Sequence, residues 1–221
     1  MKKFFLLLLL TCLTAFSAGA QWRLGASAGA SYNWYSIDKH YQSDFNYQGL
    51  WAPTGALTGQ YDFNHWMGIR AEMEYLRKDH RFYRTQIYSG TDWKVFNTYL
   101  QIPVMAVFHY GGERLKGFTH LGGYGGYWLQ CRREGTQYNP SSEETFEVHE
   151  RYAFIEEKDR RFNAGLIAGT GLEYRFLRHW AVQLEGRLCF SQLSTVKQYM
   201  AIKDYRYNAT ASLRLGIQFI F

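Results

Sequence analysis

The chain ends in a strict alternation of apolar and polar side chains, and this pattern limits its fold more than any other feature. Between positions 208 and 221 one parity is wholly apolar and the other almost wholly polar. The apolar members are Ala209, Ala211, Leu213, Leu215, Ile217, Phe219 and Phe221. Successive side chains of a β-strand point to opposite faces, so the pattern predicts a strand with one face in an apolar environment.

The same period of two recurs through most of the chain after position 20. In segments 22–35 and 180–191 charged residues again keep to one parity. Five more segments are interpreted as strands: 50–63, 66–78, 94–110, 118–130 and 162–176. The total of eight strands is the smallest number usual in bacterial outer-membrane barrels.

The connections between these segments alternate in length. Short connections lie at 64–65, 111–117 and 177–179, and long ones at 37–49, 79–93, 131–161 and 192–206. Membrane barrels have short periplasmic turns and long outer loops. The sequence therefore predicts an all-β fold, an eight-stranded antiparallel up-and-down transmembrane β-barrel over 21–221. Part of 131–161 could also extend its hairpin above the membrane.

Aromatic residues decide between a membrane barrel and a soluble barrel, which shares the alternation but points its apolar face inward. Phe, Trp and Tyr make up 19% of the chain, with 18 tyrosines. One group at the strand ends is Trp22, Phe63, Phe176, Trp180 and Phe221, and the other is Tyr32, Trp34, Trp51, Tyr75, Tyr127 and Phe190. Two aromatic belts indicate two membrane interfaces and favour the membrane barrel over a secreted soluble carrier.

The first twenty residues have the pattern of a secretory signal peptide. Lys2 and Lys3 precede an apolar run that ends in small residues at 18–20. Cleavage before Gln21 would release residues 21–221 through the periplasm to the outer membrane. Lipidation at Cys12 is the weaker alternative, because Thr11 poorly suits a lipoprotein signal. The basic residues behind the formal charge of +6 are scattered, which argues against nucleic acid as a partner.

Charged residues collect on the inward parity near the middle of the strands. They are Asp62, Arg70, Glu72, Glu74, Glu173, Arg175, Glu185, Arg187 and Arg214. An eight-stranded barrel is barely wide enough for its own side chains, so these nearly balanced charges are interpreted as a salt-bridge plug. A narrow ion path is the alternative, since charges at membrane depth often line one.

Enzymatic and metal sites are weaker hypotheses. Glu173 and Glu185 could form an acid and base pair, but neighbouring Arg175 and Arg187 favour a salt-bridge network. His109 and His120 could approach each other, without a third metal ligand. No Ser, His and Asp spacing is recognisable around the histidines assigned to outer loops, His40, His80 and His149. We therefore predict no enzyme activity, no catalytic residue, no metal site and no cofactor.

The two cysteines after position 20 are predicted to stay free. Cys131 and Cys189 lie on non-adjacent strands, and the alternation predicts opposite facing for them. Two thiols that point apart cannot form a disulfide without backbone movement.

Three motifs carry a family resemblance. Gly216, Phe219 and Phe221 resemble the C-terminal signal that the barrel-assembly machinery reads, although Leu215 stands where a polar residue is common. Segment 99–104 (YLQIPV) and the glycine-rich segment 163–174 resemble strands of the PorT-like outer-membrane β-barrel family. The resemblance implies the barrel architecture. Its founding member is associated with protease export by the type IX secretion system, a role that these motifs do not specify.

These observations lead to a ranked set of functions. The first is a non-enzymatic barrel with a plugged lumen that acts structurally or through its outer loops. The second is a component of a protein-secretion or envelope-assembly apparatus with a protein partner, and the third is a narrow ion channel. Outer-membrane lipid is the expected surrounding, and basic residues near the outer rim could contact lipopolysaccharide phosphates. Those residues are Arg77, Lys78, Arg81, Arg84, Arg132 and Arg133.

Overall fold

The computed structural model describes residues 21–37, 44–197 and 205–221. The predicted signal peptide, 1–20, and His40 lie outside the described residues. The strands are β1 (Gln21–Ile37), β2 (Phe45–Gly49), β3 (Trp51–Asp62), β4 (Met67–Arg77), β5 (His80–Arg84), β6 (Asp92–Gly111), β7 (Leu115–Asn139), β8 (Glu144–Arg151), β9 (Phe162–Leu177), β10 (Trp180–Ser191) and β11 (Arg206–Ile220). Within the described ranges no helix is long and apolar enough to cross a membrane.

Eight of the strands close into a ring. Their order around it is β6, β4, β3, β1, β11, β10, β9 and β7, and β6 pairs with β7 to complete it. Every pairing in the ring is antiparallel, and β1 meets β11 from Arg23 opposite Ile220 to Ile37 opposite Arg206. The predicted eight-stranded up-and-down barrel is confirmed.

The apolar parity faces outward, as predicted. On β11, Leu213, Leu215 and Ile217 are exposed, and Leu215 reaches 60% exposure. Arg214 and Gln218 alternate with them and are buried inside the ring. Exposed apolar side chains could not cover a barrel in water at this density, so the outer surface is the lipid face.

Short turns lie at one end of the barrel, here called the turn end, and long connections at the other, the loop end. At the turn end β3 joins β4 through 63–66, and β6 joins β7 through 112–114. The left-handed φ of Gly111, 109°, starts this second turn.

The loop end holds more strand than the sequence predicted. Connections 37–49 and 79–93 contain β2 and β5, which pair with each other, and β5 also pairs with the start of β6. Connection 131–161 contains the end of β7 and the whole of β8. These segments are sheet because β6 and β7 continue past the lipid face. At about 3.3 Å per residue the 25 residues of β7 extend roughly 80 Å.

A β-bulge on β7 overturns one sequence prediction. Thr98 of β6 pairs with Gln130 but Tyr99 pairs with Trp128, which leaves Leu129 as an extra residue. The extra residue reverses the facing of all that follows. Cys131 is therefore buried inside, on the same side of the wall as Cys189, and the predicted opposite facing was wrong. Both cysteines are free thiols.

The glycine-rich strand β9 makes room for rings of β7. A Cβ at Gly171 would lie 2.5 Å from the Phe118 ring, and one at Gly169 would lie 2.5 Å from the His120 ring. Phe118 and His120 are completely buried in the lumen. Inward glycines thus let a narrow barrel hold large side chains from the adjacent strand.

Candidate functional site

Three arginines and three glutamates meet near the middle of the barrel. This central cluster consists of Arg70, Glu72 and Glu74 from β4, Glu185 and Arg187 from β10, and Arg214 from β11. In the ring β4 stands opposite β10, so the cluster bridges the full width of the lumen. All six side chains are buried.

The contacts of the central cluster are short and mostly shared. Arg187 donates to both carboxylate oxygens of Glu72, at 2.8 and 2.9 Å, and its Nε lies 2.7 Å from Glu185. Arg214 reaches Glu72, Glu74 and Glu185 at 3.0–3.1 Å. Arg70 donates to Glu185 at 2.8 Å. Each charge therefore has a partner of opposite sign, as a low-dielectric interior requires.

A second group of charges, the lower cluster, lies nearer the turn end. Arg23 of β1 donates to both oxygens of Glu173, at 2.8 and 2.9 Å, and its Nε lies 2.6 Å from Asp62. Two glutamines connect the clusters. Gln60 contacts Asp62 and Arg70, while Gln183 contacts Glu173 and Arg70.

The lower cluster differs from the predicted set in one arginine. Arg175 is only half-buried, and among the described residues it forms no ion pair. Arg23, which the sequence analysis left out of the set, neutralises Glu173 instead. The sequence feature that could have identified Arg23 is its position on the inward parity, between Trp22 and Leu24 on the outward parity. Arg175 shares that parity but lies two residues from the end of β9, where the lumen opens to solvent.

The space beside the central cluster is nearly filled. A void lined by Arg70, Glu72, Gln183, Glu185 and Arg214 has a volume of about 10 Å³. This is close to the minimum that holds one water molecule.

The two lumen histidines lie apart from any metal-like arrangement. His109 contacts Gln60 at 2.9 Å and Asp62 at 3.5 Å, while His120 lies 3.8 Å from Glu185. Phe118 packs between the two imidazole rings. Within the described part of the chain no three His, Cys, Asp or Glu side chains form a group that could hold a metal ion.

Several predicted rim bases already have acidic partners. Arg81 pairs with Asp92, Arg84 with Asp44, Arg77 with Asp79, Arg132 with Glu134 and Arg133 with Glu150. Lys78 is not a rim residue: it is 1% exposed, inside the barrel, with its Nζ 4.7 Å from the Tyr99 ring centroid and 5.1 Å from that of Tyr124. The placement of Lys78 at the rim was wrong because this residue continues the inward parity of Leu76 just past the end of β4, and its side chain packs against the Tyr99 and Tyr124 rings.

Above the lipid face the barrel opens into an aromatic cavity of about 270 Å³, here called the vestibule. Its walls come from the ring strands and from the added strands β2 and β5. Lining side chains include Tyr35, Phe82, Trp93, Tyr99, Trp128 and Tyr152. Sequence patterns did not predict this cavity, because its walls include strands that were interpreted as loops.

Two titratable groups of the vestibule stay neutral near pH 7. Burial lowers the pKa of His80 to about 3, and its ring stacks on Tyr35 with centroids 4.3 Å apart. Burial, helped by Asp159, raises the pKa of Tyr152 to about 12. Both groups lie on loop-end segments beyond the lipid face. They therefore add ring surface rather than charge to the vestibule walls.

A closed ring with an apolar outer face and paired charges inside defines a transmembrane β-barrel. Residues 4–219 match the family model described as the outer membrane protein beta-barrel domain, so the chain belongs to this family. It is a protein of the Gram-negative outer membrane. Short turns of such barrels face the periplasm, so we expect the turn end there and the loop end outside.

Solved structures with the same fold are distant in sequence. OprG from Pseudomonas aeruginosa is 11% identical, with a TM-score of 0.58 over 92% of this chain and 96% of that one. Neisserial surface protein A is 12% identical, with a TM-score of 0.48 over 91% and 98%. Ail of Yersinia pestis is 13% identical, with a TM-score of 0.44 over 91% and 99%. No curated protein sequence matches the chain.

Proposed function

We propose that this protein is a non-enzymatic outer-membrane barrel with a plugged lumen that acts through its outer strands and loops. The observation that carries the proposal is the central cluster, which joins opposite walls of the lumen. Its three arginines and three glutamates balance in charge and leave a void of about 10 Å³. An ion crossing here would have to separate Arg187 from Glu72, and breaking a buried pair costs about 3–5 kcal/mol.

The same contacts argue against acid and base catalysis in the lumen. Glu173 and Glu185 belong to different clusters, one held by Arg23 and the other by three arginines. Neither carboxylate is free to accept a proton from a substrate.

The outer surface offers a binding element in β8. Among the described residues β8 pairs only with β7, so its other edge has free backbone groups. Seven of its eight residues are exposed, including the side chain of Phe146. A free edge can pair with an extended segment of another protein, and Glu144, Glu147 and Glu150 restrict which segments can approach.

Planar-bilayer recording tests the plug. Purified wild-type protein is expected to give no steady conductance, because the central cluster has no continuous water path. Arg187→Ala shortens the side chain that joins Glu72 to Glu185 and should give small openings, while the outer variant Arg132→Ala should stay silent. Steady wild-type openings that change in Arg214→Gln or Glu185→Gln would overturn the plugged lumen.

Cross-linking on intact cells tests the outer surface. Replacing residues 137–146 with Asn-Gly would join Thr136 to Glu147, which already face each other, through a two-residue turn. This deletion should remove a cross-linked surface partner that the wild type captures, and Phe146→Ser should weaken it. Unchanged capture by the shortened hairpin would exclude this surface.

A second candidate is a component of a secretion or envelope-assembly apparatus. Segments 99–104 on β6 and 163–174 on β9 support it through their likeness to PorT-like proteins, although the glycines of β9 also serve packing. Such a component should co-purify with a defined periplasmic or inner-envelope partner that does not depend on β8. Two further predictions belong to either candidate function: Gly216, Phe219 and Phe221 form the segment that the barrel-assembly machinery binds, and lipopolysaccharide contacts the rim.

A further inference from the structure

We propose that the vestibule binds a small organic anion with a planar, apolar body. The proposal goes beyond surface interaction and does not depend on β8 or on the plug. It rests on the size of the cavity, on its aromatic walls, on polar groups without partners and on the charge of its lining.

The size and the walls suit a small planar molecule. A cavity of about 270 Å³ is near the lower limit of the ~300–1,000 Å³ of ligand pockets. Tyr99 and Trp128 present nearly parallel rings, 6° apart with centroids at 5.8 Å, and the neutral His80 stacks on Tyr35. Flat aromatic surfaces that are held in place bind flat apolar molecules by stacking, with little loss of side-chain entropy.

Three buried polar atoms at the vestibule have no hydrogen-bond partner among the described residues. They are Trp93 Nε1, Asn97 Oδ1 and Thr195 Oγ1. Asn97 and Thr195 are each only 5% exposed. A buried polar atom without a partner costs about 1–3 kcal/mol. These atoms have almost no accessible surface, so a ligand recovers that cost only where a side-chain rotation brings one of them to the cavity wall.

The described residues that line the vestibule carry more positive than negative charge. Among them Arg133, Lys158 and Arg206 are basic and Asp159 is acidic. The Asp159 carboxylate already accepts a hydrogen bond from the Ile155 backbone at 2.8 Å. The contact of Arg133 with Glu150 is partly exposed, and such pairs contribute little, so the guanidinium can turn to a ligand.

A further cation lies beneath the floor. The Nζ atom of Lys78 lies below the Tyr99 ring and donates a hydrogen bond to Asn163 Oδ1 at 3.3 Å. Among the described residues Lys78 forms no ion pair with a carboxylate. The field inside the vestibule therefore favours an anion over a cation of the same shape.

Calorimetric titration of the protein in lipid nanodiscs tests the proposal. The probes are 2-naphthoate, the neutral 2-naphthylmethanol and the cationic 2-naphthylmethylamine, each also titrated into empty nanodiscs to subtract partition into lipid. We expect saturable binding of one 2-naphthoate per barrel, at least tenfold tighter than the alcohol, and no saturable binding of the amine.

Matched variants locate the site. Val95→Trp fills the vestibule and should weaken 2-naphthoate at least tenfold, whereas Lys94→Trp adds the same ring on the outer face and should leave binding unchanged. Arg133→Gln should weaken 2-naphthoate about three- to tenfold with little effect on the alcohol, whereas Arg132→Gln should change neither. If Val95→Trp fails to fold, as judged by its heat-dependent gel mobility, Thr195→Phe fills the cavity from another wall.

Three outcomes would overturn the proposal. One is the absence of saturable binding of 2-naphthoate below 1 mM, on the order of the weakest affinity that a specific site would give. Another is binding that survives both cavity-filling variants. The last is equal affinity for naphthoate and the alcohol, which would remove the role of charge.

Discussion

The lumen and the vestibule lie one above the other in the same barrel, but they differ in how closely their space is filled and their charges are paired. In the lumen every central charge has a partner of opposite sign and the void beside the cluster holds about 10 Å³, whereas the vestibule has about 270 Å³ lined by aromatic and basic side chains. The lumen is enclosed by eight strands whose long side chains meet across it. The vestibule is wider because β2, β5 and the extension of β7 enlarge the wall above the lipid face. The pairing of every central charge is thus a property of the membrane section, and open space is a property of the section above.

The largest expected effect comes from breaking the lumen contacts. Arg187→Met leaves Glu72 and Glu185 with fewer partners in a buried site, so the free energy of unfolding should fall by about 3–5 kcal/mol. Urea unfolding in lipid vesicles measures it, with exposed Arg132→Met as the control. A loss below about 1 kcal/mol would mean that water reaches the lumen freely.

Overfilling the lumen should have the next largest effect. At Gly171 a Cβ would lie 2.4 Å from the Leu184 carbonyl oxygen and 2.5 Å from the Phe118 ring. Gly171→Val should therefore destabilise the barrel by about 3 kcal/mol, at the upper end for overpacking. The control is Gly186→Ala, whose Cβ would meet its nearest atom at 4.0 Å, and which should unfold almost like the wild type.

Acid should loosen the vestibule before the lumen. The pKa of His80 is about 3 in the folded protein, below its ordinary 6.5, so the stabilisation is complete above pH 6.5 and is lost as pH falls towards 3. Between pH 6.5 and 5 the loss is about 2 kcal/mol. The protection factors of the β2 and β5 amides, which correct for the slower intrinsic exchange at lower pH, should fall over this range in the wild type. In His80→Phe, which stacks without titrating, a similar fall would contradict the assignment.

An outer ion pair should have the smallest effect. Arg81 and Asp92 form the same type of contact as Arg187 and Glu72, but both side chains are more than one third exposed. Asp92→Asn should change the free energy of unfolding by less than about 1 kcal/mol, and that change should shrink further in high salt. A loss as large as that of Arg187→Met would remove the distinction between the two sections.

The alternation in the sequence was sufficient to predict the strands of the section in lipid, but it was insufficient to predict the strands above that section. Parity placed Leu215 on the lipid face and Arg214 inside because, within a regular strand, facing depends only on odd or even position. It failed at Cys131 because one extra residue, Leu129, reversed the facing, and no local signal marks that bulge. It also could not distinguish Arg175 from Arg23, since parity gives the face of a side chain but not its height along the barrel.

The outer strands were missed for a related reason. β2 and β5 are five residues each. β5 carries polar residues on both faces, and the alternation of β2 covers too few residues to distinguish a strand from a loop. The vestibule depends on the pairing of these short strands, and therefore on contacts distant in sequence. Its aromatic residues were visible in the sequence, but their convergence was not.

The pairing of β1 with β11 has a consequence for how the protein reaches its native state. These two strands are the most widely separated in sequence of all the ring pairs, so their contact has the greatest entropic cost of closure. High contact order of this kind slows spontaneous folding. Until β1 and β11 pair, both strands have unpaired backbone amide and carbonyl groups. Lipid cannot form hydrogen bonds with these groups, and in the periplasm they can pair with other chains. A closed barrel has no free edge in its final state, and for that reason its folding needs a chaperone or a template that covers the edges of β1 and β11 during insertion.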